Sequence, residues 1–281
     1  MLFRSLAQVP RQEQIVLESA AHMYTSERGA ATFTAAFYLA VSGTSGAMDL
    51  DLLEDALQTG STKLKTALIA LETSHNNAGG AVLPLDHMRA VRTIAEARGI
   101  PVHLDGARLF NAAVAQAVSP AEIAGYADTA SLCLSKGLSA PVGAVLVGSR
   151  QTIDSARHFR KMLGGTQRQA GIMAAAGLEA VEHMGARLTE DHDRARRLSH
   201  GLNEIHPHLS ASAPQTNIIQ VDVSKTARNS ERWMADLERV GLRVRPWGKN
   251  RLRCVTHRHI DDADIEFAVE AFRSVSAGLP G

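Results

Sequence analysis

Short apolar runs alternating with helical patterns fill the first two thirds of this chain, and few architectures accept that rhythm. Residues 14–18, 66–72, 101–104, 129–134 and 142–147 read as buried strands. Between the second and third, Leu85, Met88, Val91, Ile94 and Ala95 recur at helical spacing after Pro84, and the run stops at Gly99 with Arg98 before it. Residues 107–117 and 121–126 supply helices ahead of the fourth strand. Strands joined in this way need crossover connections, so the pattern predicts an α/β fold with a mainly parallel sheet covered by helices on both faces.

Beyond Gln169 the character changes. An Ala-rich helix runs to Val181, and after Gly185 a charged helical stretch covers residues 188–205. Strands are expected at 217–223, 242–246 and 252–256, with helices at 230–240 and 261–277. The expected organisation is a large domain over residues 1–185 and a smaller C-terminal α+β domain over residues 186–281. The sequence holds no internal repeat and no low-complexity tract.

A chain of 281 residues with a net charge of +1 buries a substantial core and has no overall field to draw it to nucleic acid or anionic lipid. A small-molecule partner fits better. Residues 29–48 carry no charge, but Gly, Thr and Ser interrupt them too often for a transmembrane helix. Residues 1–14 lack a signal-peptide core, and Cys133 and Cys254 stand far apart in apolar runs, so a reducing cytoplasm is expected.

Ligands of open parallel sheets bind beyond the carboxyl ends of the strands. His75, Asp105 and Lys136 fall there, on three separate strands. Lys136 lies in Cys133-Leu134-Ser135-Lys136-Gly137-Leu138-Ser139-Ala140-Pro141-Val142-Gly143, whose small residues let a flat ring approach the backbone. A lysine that carries an aldehyde cofactor and an aspartate that partners a pyridinium nitrogen are what pyridoxal 5′-phosphate chemistry requires. Each residue also has an ordinary explanation. Lys136 could be a solvated strand end, Asp105 could cap a helix starting at Ala107, and His22 and His75 could be surface or core histidines. The remaining histidines lack zinc-helix spacing, and a metal hydrolase built on His103 and Asp105 lacks further ligands.

Six segments in this order carry a resemblance: Ala-His-Met-Tyr at 21–24, Glu-Thr-Ser-His-Asn at 72–76, His-Leu-Asp-Gly-Ala-Arg at 103–108, the Lys136 segment, residues 161–171, and Arg-Cys-Val-Thr-His at 253–257. Together they resemble the low-specificity threonine aldolases of the aromatic amino acid β-eliminating lyase and threonine aldolase family. The resemblance implies pyridoxal 5′-phosphate fold type I and a lyase that cleaves threonine, allo-threonine or related β-hydroxy-α-amino acids to glycine and an aldehyde. It implies that Lys136 holds the cofactor, Asp105 keeps the ring nitrogen protonated, His22 stacks on the ring and Arg108 lies by the phenolic oxygen. Arg253 would clamp the substrate carboxylate, and His75 would be the base for the β-hydroxyl proton. Lys161 and Arg168 match basic positions that could serve the phosphate or a neighbouring subunit. A homodimer or homotetramer is implied, with no nucleic-acid or membrane partner.

The family also carries an Arg-Ser-Asp opening and a Ser-Gly-Thr turn into a helix, both ahead of the Ala-His segment, where this sequence has neither. Ser42-Gly43-Thr44 imitates the turn but follows His22, in a connection leading to a helix at 49–56. Helix N-termini hold phosphates through their backbone N–H groups, so weaker cofactor binding is expected, from a misplaced gene start or a true fragment. The competing reading is a non-catalytic or weakly active remnant, pairing with an intact subunit.

Overall fold

The computed structural model describes residues 7–58 and 64–278. The chain divides into two compact units, Met1–Gly185 and Ala186–Gly281. In the first, the elements run β1 (Gln14–Glu18), α1 (His22–Thr25), α2 (Ala30–Thr34), β2 (Phe37–Val41), β3 (Gly43–Thr44), β4 (Ala47–Met48), α3 (Leu50–Ala56), β5 (Thr66–Glu72), α4 (Leu85–Glu96), β6 (Val102–Gly106), α5 (Leu109–Gln116), α6 (Pro120–Ala124), β7 (Thr129–Cys133), β8 (Ala144–Val147), α7 (Arg150–Met162) and α8 (Gly171–His183).

Six of these strands form one sheet in the order β2-β1-β5-β6-β7-β8. All neighbours are parallel except β7 and β8, which pair antiparallel at the edge. Strands β1, β5 and β6 are buried along their whole length. Successive residues alternate between the two faces, so such strands need apolar residues at nearly every position. Val16, Ile69, Leu71 and Leu104 pack with Leu53, Met88 and Val91 on one side. Ile15, Leu17, Leu68 and Ala70 pack with Ala21 and Met23 on the other. The uncharged stretch at 29–48 is a short helix, strand β2 and the β3–β4 hairpin, and no described helix is long and apolar enough to cross a membrane.

The second unit contains α9 (Leu188–Asn203), β9 (Ser210–Ala211), β10 (Ile218–Asp222), α10 (Ser230–Arg239), β11 (Arg245–Pro246), β12 (Arg251–Val255) and α11 (Asp262–Ser276). Its antiparallel sheet, ordered β11-β12-β10-β9, buries Ile219, Val221, Leu252 and Cys254 against Leu198, Trp233 and Phe272. Trp233 stacks on Phe272 at 5.8 Å, and its indole N–H donates to Thr226 Oγ1 at 2.8 Å, so the buried polar atom is satisfied.

Candidate active site

Three apolar strands end on buried carboxylates. Glu18 closes β1, Glu72 closes β5, and Asp105 is the penultimate residue of β6, with exposures of 5, 7 and 6%. Register sets Glu72 beside Asp105, and Asp105 beside Ser131 of β7. Buried carboxylates need partners. Ser131 Oγ and the Ala107 N–H both approach Asp105 Oδ1, at 3.5 and 3.2 Å. The Ala107 contact is a local turn. The helix that follows, α5, starts later with Arg108 at its N-cap, so Asp105 is not its capping residue.

Glu72 ties two loops to the sheet edge. One oxygen accepts the His22 N–H at 2.6 Å, and the other accepts the Asn76 N–H at 2.8 Å. His75 follows in the same loop and is fully buried. Its Nδ1 accepts the Ala78 N–H at 3.2 Å, so Nε2 carries the proton and donates it to Glu18 Oε2 at 3.1 Å. Burial alone would lower the His75 pKa, but the Glu18 bond and the Glu72 charge raise it. Burial would likewise raise Glu18, but the His75 bond, with those from Ser19 and Ala20, holds it low. In this arrangement both ring nitrogens of His75 are engaged. Gly46 of the β3–β4 hairpin lies against the ring, and a Cβ there would sit 2.5 Å from Cδ2.

His22 opens α1 and is differently placed. Its side chain is 41% exposed, and Nδ1 lies 2.8 Å from Glu27 Oε1. The Glu27 bond raises its pKa against the opposing effect of burial, with further help from the Glu27 and Glu72 charges. With Nδ1–H committed to a carboxylate, the lone pair is at Nε2, which makes no hydrogen bond among the described residues. A carboxylate that orients an imidazole in this way leaves the opposite nitrogen able to accept a proton.

Lys136 follows β7, where the chain leaves the sheet, and no ion pair engages its amine among the described residues. Desolvation lowers its pKa and the Arg108 charge lowers it further, while Cys133, Asp105 and Glu72 oppose the shift. Arg108 donates to Asn76 Oδ1 at 3.3 Å; burial pushes its pKa down, and the charges of Glu72, Cys133 and Asp105 pull the other way. An amine poised away from a fixed counter-ion, a buried carboxylate on the adjoining strand, an exposed imidazole and a guanidinium therefore converge on one carboxyl edge. This donor set fits the ring end of a pyridoxal cofactor.

The other sequence-predicted residues lie on other elements. Lys161 lies in the last turn of α7 and Arg168 ahead of α8; both are exposed, and neither pairs with an acid among the described residues. Ser42-Gly43-Thr44 enters the β3–β4 hairpin and opens no helix. Arg253 is on β12 of the second unit. Sequence reasoning passed over Glu18, Glu27 and Glu72. Glu18 and Glu72 carry the signal that drew attention to Asp105, an acid closing an apolar strand.

The model of the beta-eliminating lyase family matches residues 1–226. The chain belongs to that family. Low-specificity L-threonine aldolase 1 of Arabidopsis thaliana is 35% identical to this lyase over 270 residues, covering 94% of the chain and 75% of the relative. Among solved structures, Leishmania major threonine aldolase superposes with a TM-score of 0.81 at 16% identity, covering 98% of this chain and 81% of that one. A mutant aspartate aminotransferase of Thermus thermophilus gives 0.73 at 17%, covering 98% and 73%. At those identities the likeness speaks for the fold, pyridoxal 5′-phosphate fold type I. The cofactor of this lyase is pyridoxal 5′-phosphate.

Proposed function

We propose that this lyase cleaves L-threonine, L-allo-threonine or related β-hydroxy-α-amino acids between Cα and Cβ, giving glycine and an aldehyde. The observation that carries the reading is Lys136 just past β7 and the buried Asp105 on the adjoining β6, with an exposed, carboxylate-held imidazole on the same edge. When bound, the cofactor supplies an electron sink for the pair released as the Cα–Cβ bond breaks. Lys136 Nζ would hold it, Asp105 would keep a proton at the ring nitrogen, and Arg108 would lie by the phenolic oxygen.

Retro-aldol cleavage needs a base for the β-hydroxyl proton. His22 Nε2 is our first choice, since Glu27 holds the opposite nitrogen. His75 serves from behind, fixing the loop that carries Asn76 and Arg108's contact to it. Arg253 binds the substrate carboxylate. The cofactor domain is residues 1–185 and the smaller domain residues 186–281. A homo-oligomer in the cytoplasm belongs to the same reading. Exposed apolar residues on α8 support assembly, Ile172 at 81% and Leu178 at 59%, and light scattering reads the outcome.

The test adds pyridoxal 5′-phosphate to the purified chain and follows both the visible absorbance of the lysine-bound cofactor and aldehyde release from L-threonine. Both signals are expected, and Lys136→Ala abolishes both. A cofactor band without aldehyde release would favour the non-catalytic alternative.

A further inference from the structure

We propose that Trp247 is a positioning residue for substrate recognition, its indole face setting the Arg253 guanidinium in the orientation that receives a carboxylate. The inference rests on the assignment of Arg253 to the substrate carboxylate. Arg253 on β12 stands directly across from Arg245 on β11 and from Gln220 on β10. Arg251, two residues away, shares that face, while Leu252 and Cys254 turn into the core. Arginines facing each other across a ladder repel, so the Arg253 side chain needs something that favours one orientation.

Trp247 supplies it. The ring centroid lies 5.2 Å from Arg253 Cζ, within range of a cation–π contact, and its place beyond Arg245 makes it the diagonal neighbour of Arg253. The platform itself is fixed. Trp247 N–H donates to Arg251 O at 2.7 Å, and Gly248 turns the chain at φ +76°. Gly248 O then accepts from Ser230 Oγ at 2.6 Å and Lys249 O from Ser230 N–H at 2.9 Å, which anchors the turn to the start of α10. A guanidinium laid on a ring keeps its N–H groups in its own plane, the geometry a bidentate carboxylate pair needs. Holding it there in advance lowers the ordering cost of binding.

The chain has two tryptophans and Trp233 is fully buried in the core, so Trp247 is also a natural reporter on Arg253. The experiment compares wild type, Trp247→Phe, Trp247→Leu and Arg253→Ala as cofactor-loaded full chains, with circular dichroism to verify folding. Trp247→Leu is expected to raise KM for L-threonine about tenfold while kcat stays within about twofold, and Trp247→Phe to recover most of the loss. Independently of turnover, glycine should change the tryptophan emission of the wild type. Methylamine, which has the amine without the carboxylate, should not, and Arg253→Ala should lose the glycine response. If Arg253→Ala weakens binding while Trp247→Leu keeps the wild-type KM, the role of Trp247 is overturned alone. An Arg253→Ala variant that binds threonine and glycine normally removes the assignment beneath it. Should Trp247→Leu misfold, Trp247→Gln, which also lacks the aromatic face, takes its place with the same expected rise in KM and the same overturning result.

Discussion

The Glu27 carboxylate and the His22 ring are five positions apart, and their 2.8 Å contact spans the end of α1. If His22 Nε2 takes the β-hydroxyl proton, the imidazole must be neutral to act. Because Glu27 raises its pKa, activity should fall as pH drops through a value above the ordinary histidine one. Glu27→Gln keeps an acceptor oxygen but removes the charge, so the acid limb of the kcat/KM profile should move to lower pH. His22→Phe should cost about a hundredfold or more in kcat. An unmoved acid limb in Glu27→Gln would assign the proton to another group. Gly46 yields a prediction of a different kind. Its φ is +87°, and an added methyl would press on the buried His75 ring, so Gly46→Ala should lower unfolding stability by about 1–3 kcal/mol, read from the urea midpoint.

At the scale of elements, α11 starts with a reciprocal cap. Asp261 Oδ1 accepts the Asp264 N–H at 3.0 Å, and Asp264 Oδ2 accepts the Asp261 N–H at 2.9 Å. Removing the first partner by Asp261→Ala leaves helix-end donors to water and should cost about 1 kcal/mol in a thermal or urea melt. Elements with a strong period were readable from the residues. Strands β1 and β5 fall where uninterrupted apolar runs placed them, because burial on both faces leaves little room for polar residues. Strand β6 runs past the expected end at Leu104, since Asp105 and Gly106 look like a turn but stay in the ladder to β7. The edge strand β2 hid in an uncharged stretch rich in Thr and Gly, where period alone does not separate strand from loop. The site was legible in the same uneven way. Lys136 and Asp105 declared themselves by their position at strand ends. Glu27 and Trp247 act through contacts across a helix end and a hairpin, which only register and turn geometry reveal.

For the whole molecule, two separate units raise the question of whether acid weakens them equally. His192 of α9 is buried in the second unit, and desolvation, reinforced by the Arg196 charge, lowers its pKa to about 4. A histidine held neutral in the folded state but able to take a proton at its ordinary pKa when unfolded stabilises the fold fully above that ordinary value. The contribution is lost as pH falls toward the folded value. Between neutrality and about pH 5 the second unit should therefore lose about 2 kcal/mol. Both tryptophans, Trp233 and Trp247, lie in that unit, so emission during urea unfolding reports on it without interference from the first. His192→Gln retains a polar side chain without the titration, and its urea midpoint should change less between the two pH values than that of the wild type. Equal pH slopes in the two proteins would show that the acid sensitivity of this unit is set by a group other than His192.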